Sequence, residues 1–429
     1  MGEIARLWGI AGTHWASLDH GGSLGPPVVS WGVDSNSMLS AIFLLYSSCL
    51  AQDASKIRST LHVPDPLPAL DPHLHGTFEP AAGVLADRVS YGTEYGMRVP
   101  AIVYRPKKSG VNRPAFIVIN GHGGDKYSWY PYWTGVSFAR MGAVVLTYDP
   151  IGEGERHREH KSGTRAHDRY VPPQEIARRM GGLMITDVSQ AVSYLSHRPD
   201  VDAKRIAAAG YSMGSFVLAL ACAVETRLKA CVLTGGGNLD GPGEYWDSSS
   251  KLMCQSIPYK SLLFLGDRPA AIFALHAQHA ATFIYNGSAD ETVDIPNHGE
   301  DFFRDMRART IKKVGDASKV FEYAFNQGTG HRPYWMTRPV LEWLHKQIQF
   351  PFWDPNEVTH ISEWAEANSI SMDRQYATEH REGGTMAVGG NVPSIDREAL
   401  NVLPEKEWII QKDRFILEKW LEITKTKLK

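Results

Sequence analysis

The stretch Gly210-Tyr211-Ser212-Met213-Gly214 constrains this chain more than any other feature. It follows the apolar run 205–209 and precedes Ser215-Phe216-Val217-Leu218-Ala219-Leu220-Ala221, so the local order reads strand, sharp turn, helix. A G-x-S-x-G turn in that setting holds its serine in a strained backbone conformation and lifts the hydroxyl above the sheet. Glycine is required on both flanks because a side chain there would collide with the adjoining strand or helix. Ser212 is therefore the candidate nucleophile. In a chain with 39 glycines the bare pattern also arises by chance, and it is the flanks that give it weight.

The rest of the chain supplies a sheet to carry such a turn. Residues 85–106 alternate apolar and polar around Glu94-Tyr95-Gly96, a hairpin signature. Short apolar runs then recur at 115–120, 143–149, 205–210, 229–234, 281–286 and 320–325, separated by helical or loop segments. This alternation predicts an α/β fold with a mostly parallel eight-stranded sheet and helices on both faces. Residues 184–197 read as a helix stopped by Arg198-Pro199-Asp200, and 339–347 as a closing helix. Four regions follow: 1–52 as leader, 53–84 as a Pro-rich linker and N-terminal extension, 85–350 as the catalytic domain, and 351–429 as a helical extension. Within the third, 235–277 is an insertion that suits a cap over the site or a plain surface excursion.

A formal net charge of −2 gives no electrostatic reason to expect nucleic acid or an anionic membrane as partner. With 43% hydrophobic residues the chain buries a sizeable core, and small neutral substrates fit it better. No pair among Cys49, Cys222, Cys231 and Cys254 has metal-ligand spacing. The apolar segment 38–51 is too short to span a bilayer, so stable membrane insertion is not expected. It has the length of a signal-peptide core, with Ala51 before Gln52 as a cleavage site. If Met38 is the true start, the protein is exported to the periplasm or beyond and residues 1–37 are spurious; otherwise 38–51 is a short buried helix and the protein is cytoplasmic.

A serine hydroxyl needs a base to take its proton and an acid to orient that base. Asp290 lies in the turn after the seventh strand, in Asn286-Gly287-Ser288-Ala289-Asp290, and is the candidate acid, with Glu291 and Asp294 as fallbacks. His331 follows the last strand in Gly328-Thr329-Gly330-His331 and is the candidate base, whereas His298 and His345 fall on helical segments. For the oxyanion, the amide of Met213 is one candidate donor, and Asn120-Gly121-His122-Gly123-Gly124 offers the second from Gly124, then Gly123. The segment 149–156 lacks phosphate-loop spacing and is expected to be a tight turn with a Glu155–Arg156 ion pair near the cleft. His122, Tyr127, Trp129, Arg156 and Trp335 are the candidate substrate contacts, although aromatic residues in such a cluster are also ordinary core material.

Together these residues resemble the α/β-hydrolase superfamily, and within it the bacterial acetyl xylan esterase and dienelactone-hydrolase-like groups. The matching pieces are Gly121 to Gly124, Asp149 to Arg156, Arg198 to Asp202 leading into Gly210 to Gly214, Asp290 and His331. The resemblance spans roughly residues 85–350. It implies a Ser-His-Asp esterase working through an acyl-enzyme, without cofactor or metal, on a small ester or acylated carbohydrate. A dienelactone hydrolase would use cysteine, so Ser212 turns the reading toward esterases. A thioesterase, a peptidase or a non-catalytic binding protein on the same scaffold remains open. A prolyl-peptidase-like activity needs an access-limiting domain, and the N-terminal portion is too short for a propeller. Oligomeric state is not legible.

Overall fold

The hairpin forms as the alternation requires. Strands β2 (Val84–Gly92) and β3 (Arg98–Pro106) pair antiparallel without a break, from Val84 opposite Pro106 to Gly92 opposite Arg98. They are joined through Tyr95 and Gly96, both at positive φ. The computed structural model describes residues 50–170, 174–248, 256–363, 365 and 397–429. The segment 38–49, with Cys49, and Cys254 lie outside the described residues, as does part of the 235–277 insertion. Residues 48–429 belong to one compact unit.

Among the described residues the sheet has nine strands, one more than the pattern predicted. The addition is β1 (His73–Ala81), an edge strand antiparallel to β2 inside the stretch expected to be linker. None of its side chains is fully buried and its register shifts twice, so it carries little of the alternation that marks a strand. The others are β4 (Arg113–Ile119), β5 (Val144–Tyr148), β6 (Val201–Tyr211), β7 (Ala230–Thr234), β8 (Ala281–Gly287) and β9 (Glu322–Asn326). They lie in the order β1-β2-β3-β5-β4-β6-β7-β8-β9. Pairing is antiparallel through β3–β5 and parallel from β5 to β9.

Both alternating sets of side chains on the central strands are buried, so both faces are covered. Phe116 and Val118 of β4 and Ala207 and Ala209 of β6 share one core cluster with α1 (Trp129–Arg140) and with the closing helix near the C-terminal end of the sheet domain. Against β6 pack α2 (Gln174–Ser196) and α3 (Met213–Cys222). Helix α2 starts ten residues before the predicted 184. Its Gly182 lies under the helix at 50–61, where a Cβ would meet the Leu61 carbonyl oxygen at 1.8 Å. Then come α4 (Arg268–His276), α5 (Ile295–Val314) and the closing helix α6 (Arg338–Ile348), within a residue of its predicted bounds.

Two aromatic residues of the insertion pack inward. Trp246 and Tyr259 are buried against Phe216 of α3, with ring centroids 4.8 and 5.5 Å away. Residues 397–429 carry α7 (Glu405–Gln411) and α8 (Leu417–Leu428). Trp420 of α8 is fully buried, stacks on Tyr95 and donates from Nε1 to Glu94 at 3.2 Å, which fastens the tail to the hairpin turn.

Candidate active site

At the end of β6 the chain turns through Ser212 at φ 54°, ψ −118°, and α3 begins at the next residue. Such a conformation in a residue with a Cβ costs about 1–3 kcal/mol and persists only where its surroundings enforce it. They do so here. A Cβ on Gly210 would lie 2.2 Å from the Gly214 carbonyl oxygen, and one on Gly214 would lie 2.2 Å from that of Ile119. The Ser212 amide donates to Thr234 of β7 at 2.9 Å, and its carbonyl receives the amides of Ser215 and Phe216.

Two loops beyond β8 and β9 bring an acid and a histidine together. Asp290 is fully buried, and its Oδ2 accepts from Nδ1 of His331 at 2.7 Å. Its other oxygen accepts from the Thr292 amide at 3.0 Å. The fallback acids stand apart: Glu291 is exposed, and Asp294 accepts from Asn297 in the first turn of α5. Gly287 permits the approach of the two loops, since a Cβ there would strike the carbonyls of Thr329 and Gly330 at 2.2 and 2.3 Å. The Ala289 amide donates to the Thr329 carbonyl, and the Gly328 amide to Ser288 Oγ. Tyr211, the residue before Ser212, donates to the His331 carbonyl at 3.2 Å and sets its ring 4.9 Å from the imidazole. A neutral imidazole that donates from Nδ1 to a carboxylate keeps its lone pair on Nε2, the arrangement of a general base.

The loop after β4 passes beside the elbow. A Cβ on Gly121 would come within 3.2 Å of Ser212 Cβ. The preference for Gly124 is corrected by the structure, because its amide donates to the Gly121 carbonyl at 2.9 Å to close a tight turn. Tyr130 also presses on this glycine, its hydroxyl 2.3 Å from where a Cβ would stand. Gly123 is the other candidate on that loop, and Met213 stands at the first position of α3.

Three of the five expected substrate contacts are interior groups. Tyr127 is fully buried, donates to Asn401 at 2.7 Å and meets His160 Nε2 at 2.8 Å. Trp335 is fully buried and donates to Thr134 at 2.9 Å. Arg156 is fully buried against Asp187, at 2.5 Å. None of the three offers surface to a ligand. Trp129, by contrast, lines a cavity of about 350 Å³ with Gly328, Gly330, Arg332 and Tyr334, on the histidine's loop. His122 meets Asp168 at 3.1 Å and stacks on His167. Burial pushes His167 down to about 4, so its ring is neutral at neutral pH.

The expected Glu155–Arg156 pair is also corrected. Glu155 lies 2.8 Å from Lys126, which lies 2.5 Å from Asp149, all three of them buried. Burial raises the carboxyl of Asp149 to about 6 and that of Glu153 to about 8. Asp168, His167 and Tyr211 were not among the sequence candidates. Tyr211 had a signal in its place within the elbow, while the other two meet His122 only through the fold.

An α/β-hydrolase architecture is thus in hand, and it is shared with a solved methylesterase, BT1017. That structure superposes with a TM-score of 0.54 at 17% identity over 92% of this chain and 78% of its own. Acetyl xylan esterase 1 from Thermoanaerobacterium sp. JW/SL YS485 is also similar, with a TM-score of 0.46 and 14% identity over 71% of this chain and 94% of its own. In sequence, YtaP of Bacillus subtilis (strain 168), whose name assigns it as a hydrolase, is 26% identical over 227 residues, 45% of this chain and 74% of that protein. The prolyl oligopeptidase family model matches residues 126–352. The chain belongs to that family, and is a hydrolase-type enzyme by that membership. Among the described residues no helix is long and apolar enough to cross a membrane.

Proposed function

We propose that the protein is a serine carboxylic-ester hydrolase whose catalytic domain spans 85–350. The observations that carry this reading are the strained serine at the end of β6, with its neighbour Tyr211 bonded to the His331 carbonyl, and a buried carboxylate 2.7 Å from that histidine. Ser212 attacks the acyl carbon, His331 takes its proton and passes it to the leaving alcohol, and Asp290 keeps the imidazole oriented. The Met213 amide and the His122–Gly123 segment hold the oxyanion, and water, activated by His331, deacylates the enzyme. The proposed substrate is an acetyl or similarly small ester on a carbohydrate, in keeping with the resemblance to acetyl xylan esterases and with export from a Met38 start.

A peptidase on the same residues is the second reading, favoured by the family whose model the chain matches. The two are separated by hydrolysis of p-nitrophenyl acetate, butyrate and octanoate by the wild type and Ser212→Ala, with acetate release from acetylated xylan measured alongside. Turnover that favours acetate and falls by about 10⁵-fold in Ser212→Ala supports the small-acyl esterase. Ester turnover no higher than that of Ser212→Ala overturns it and directs attention to peptide substrates.

A further inference from the structure

Among the described residues, His122, His167 and Asp168 each offer a ligand atom, and these atoms all lie within 4.8 Å of one another. His122 comes from the loop after β4, and the other two from the turn Ala166–Tyr170. Asp168 Oδ1 is 3.1 Å from His122 Nε2 and 3.7 Å from His167 Nε2. The two imidazoles stack nearly parallel, 5.2 Å apart.

His167 shows which way the cluster faces. It is wholly buried, and its Nδ1 lies 3.0 Å from the Ile151 carbonyl. A carbonyl only accepts, so Nδ1 carries a proton, and Nε2 is the ring atom left to act as a ligand. That Nε2 has no hydrogen-bond partner. A buried polar atom left unmatched carries a desolvation cost, and this one is turned toward a second imidazole and a carboxylate. Fixing the far ring nitrogen on a backbone carbonyl is also how proteins orient a metal-binding histidine.

We propose that His122, His167 and Asp168 form a binding site for a divalent transition-metal cation of the zinc type. Two imidazoles and one carboxylate suit zinc, whereas magnesium and calcium prefer oxygen ligands alone. Three protein ligands leave a fourth tetrahedral position for water or another oxygen. The Asp168 side chain, 31% exposed, gives the ion a way in. The sequence carried no spacing signal for the site, since His122 and Asp168 are 46 residues apart. The proposal stands whether or not Ser212 proves to be the nucleophile.

The test is calorimetric titration of chelator-stripped protein with zinc chloride, repeated with magnesium chloride and with the variants His122→Asn, Asp168→Asn and His167→Gln. One zinc bound per chain, at least tenfold more weakly in His122→Asn and Asp168→Asn and not replaced by magnesium, is the expected result. Zinc affinity in those two variants equal to the wild type overturns the site, as does equal affinity for magnesium. His167→Gln alters a buried ring and serves only if its circular dichroism matches the wild type, so the two more exposed positions decide the question.

Discussion

Two regions at the carboxyl ends of the strands look alike in sequence and do opposite things. The loops after β8 and β9 hold Asp290 and His331, and the loop after β5 holds Asp149, Glu153, Glu155 and Arg156; each is rich in glycine and charge. In the first, one buried carboxylate meets one histidine that keeps a partly exposed edge, with 17% of its side chain accessible. In the second every charge is sealed, and Glu155 receives the amides of Val402 and Leu403 while its carbonyl accepts from Trp408. Charge at a strand end therefore identifies a site only when one of its members still faces a substrate. The sealed loop is an anchor for the tail.

Three substitutions sharpen or break this contrast. Asp290→Asn is expected to lower ester turnover by about 10³–10⁴-fold through the wrong imidazole tautomer, with little change in urea unfolding. A drop in stability without loss of rate would make Asp290 structural and erase the contrast. Glu155→Ala should do the reverse. It leaves Lys126 with one carboxylate and two amides unmatched, and is expected to cost about 3 kcal/mol in urea unfolding. Trypsin should then cut within 397–429 sooner than in the wild type. An unchanged digestion pattern would show that the tail is held by Trp420 and its neighbours instead.

The third substitution concerns Glu153, which accepts from the amides of Thr164 and Arg165. Burial raises its carboxyl from the ordinary 4.5 to about 8, so the folded state keeps a proton that the unfolded chain has released. Stability should accordingly fall as pH rises from about 5 to 8, by up to about 1.4 kcal/mol for each pH unit. Glu153→Gln cannot titrate and should flatten melting temperature across that window. A variant with the wild-type slope would assign the dependence to other groups.

These outcomes bear on how far residues speak before the fold is seen. The turn at Ser212 and the meeting of Asp290 with His331 were legible because each residue follows an apolar run that declares itself a strand, even where, as in β9, that strand is only half-buried. β1 was not, because an edge strand with exposed side chains has no alternation to read. The burial of Tyr127 and Trp335 was hidden because an aromatic ring has the same composition in a groove as in a core. The partners of Glu155 and Arg156 were hidden because adjacency in sequence invites a pair, while Lys126 and Asp187 are brought in by separate elements. The hydrogen bond of Gly124 depends on a turn closing on Gly121, and a run of glycines does not say which amide closes it.

The bond between Glu155 and Val402 spans 247 positions of chain. During synthesis at about 5–20 residues per second, roughly 12–50 s pass between the emergence of the carboxylate and that of the amide that receives it. Lys126 and Asp149 are made long before, so a nascent protein holds its interior charges against each other and against water until Val402 and Leu403 arrive. The order of translation thus leaves a lapse in which this loop is open, and any factor that shields exposed carboxylates on the ribosome would have that lapse in which to act.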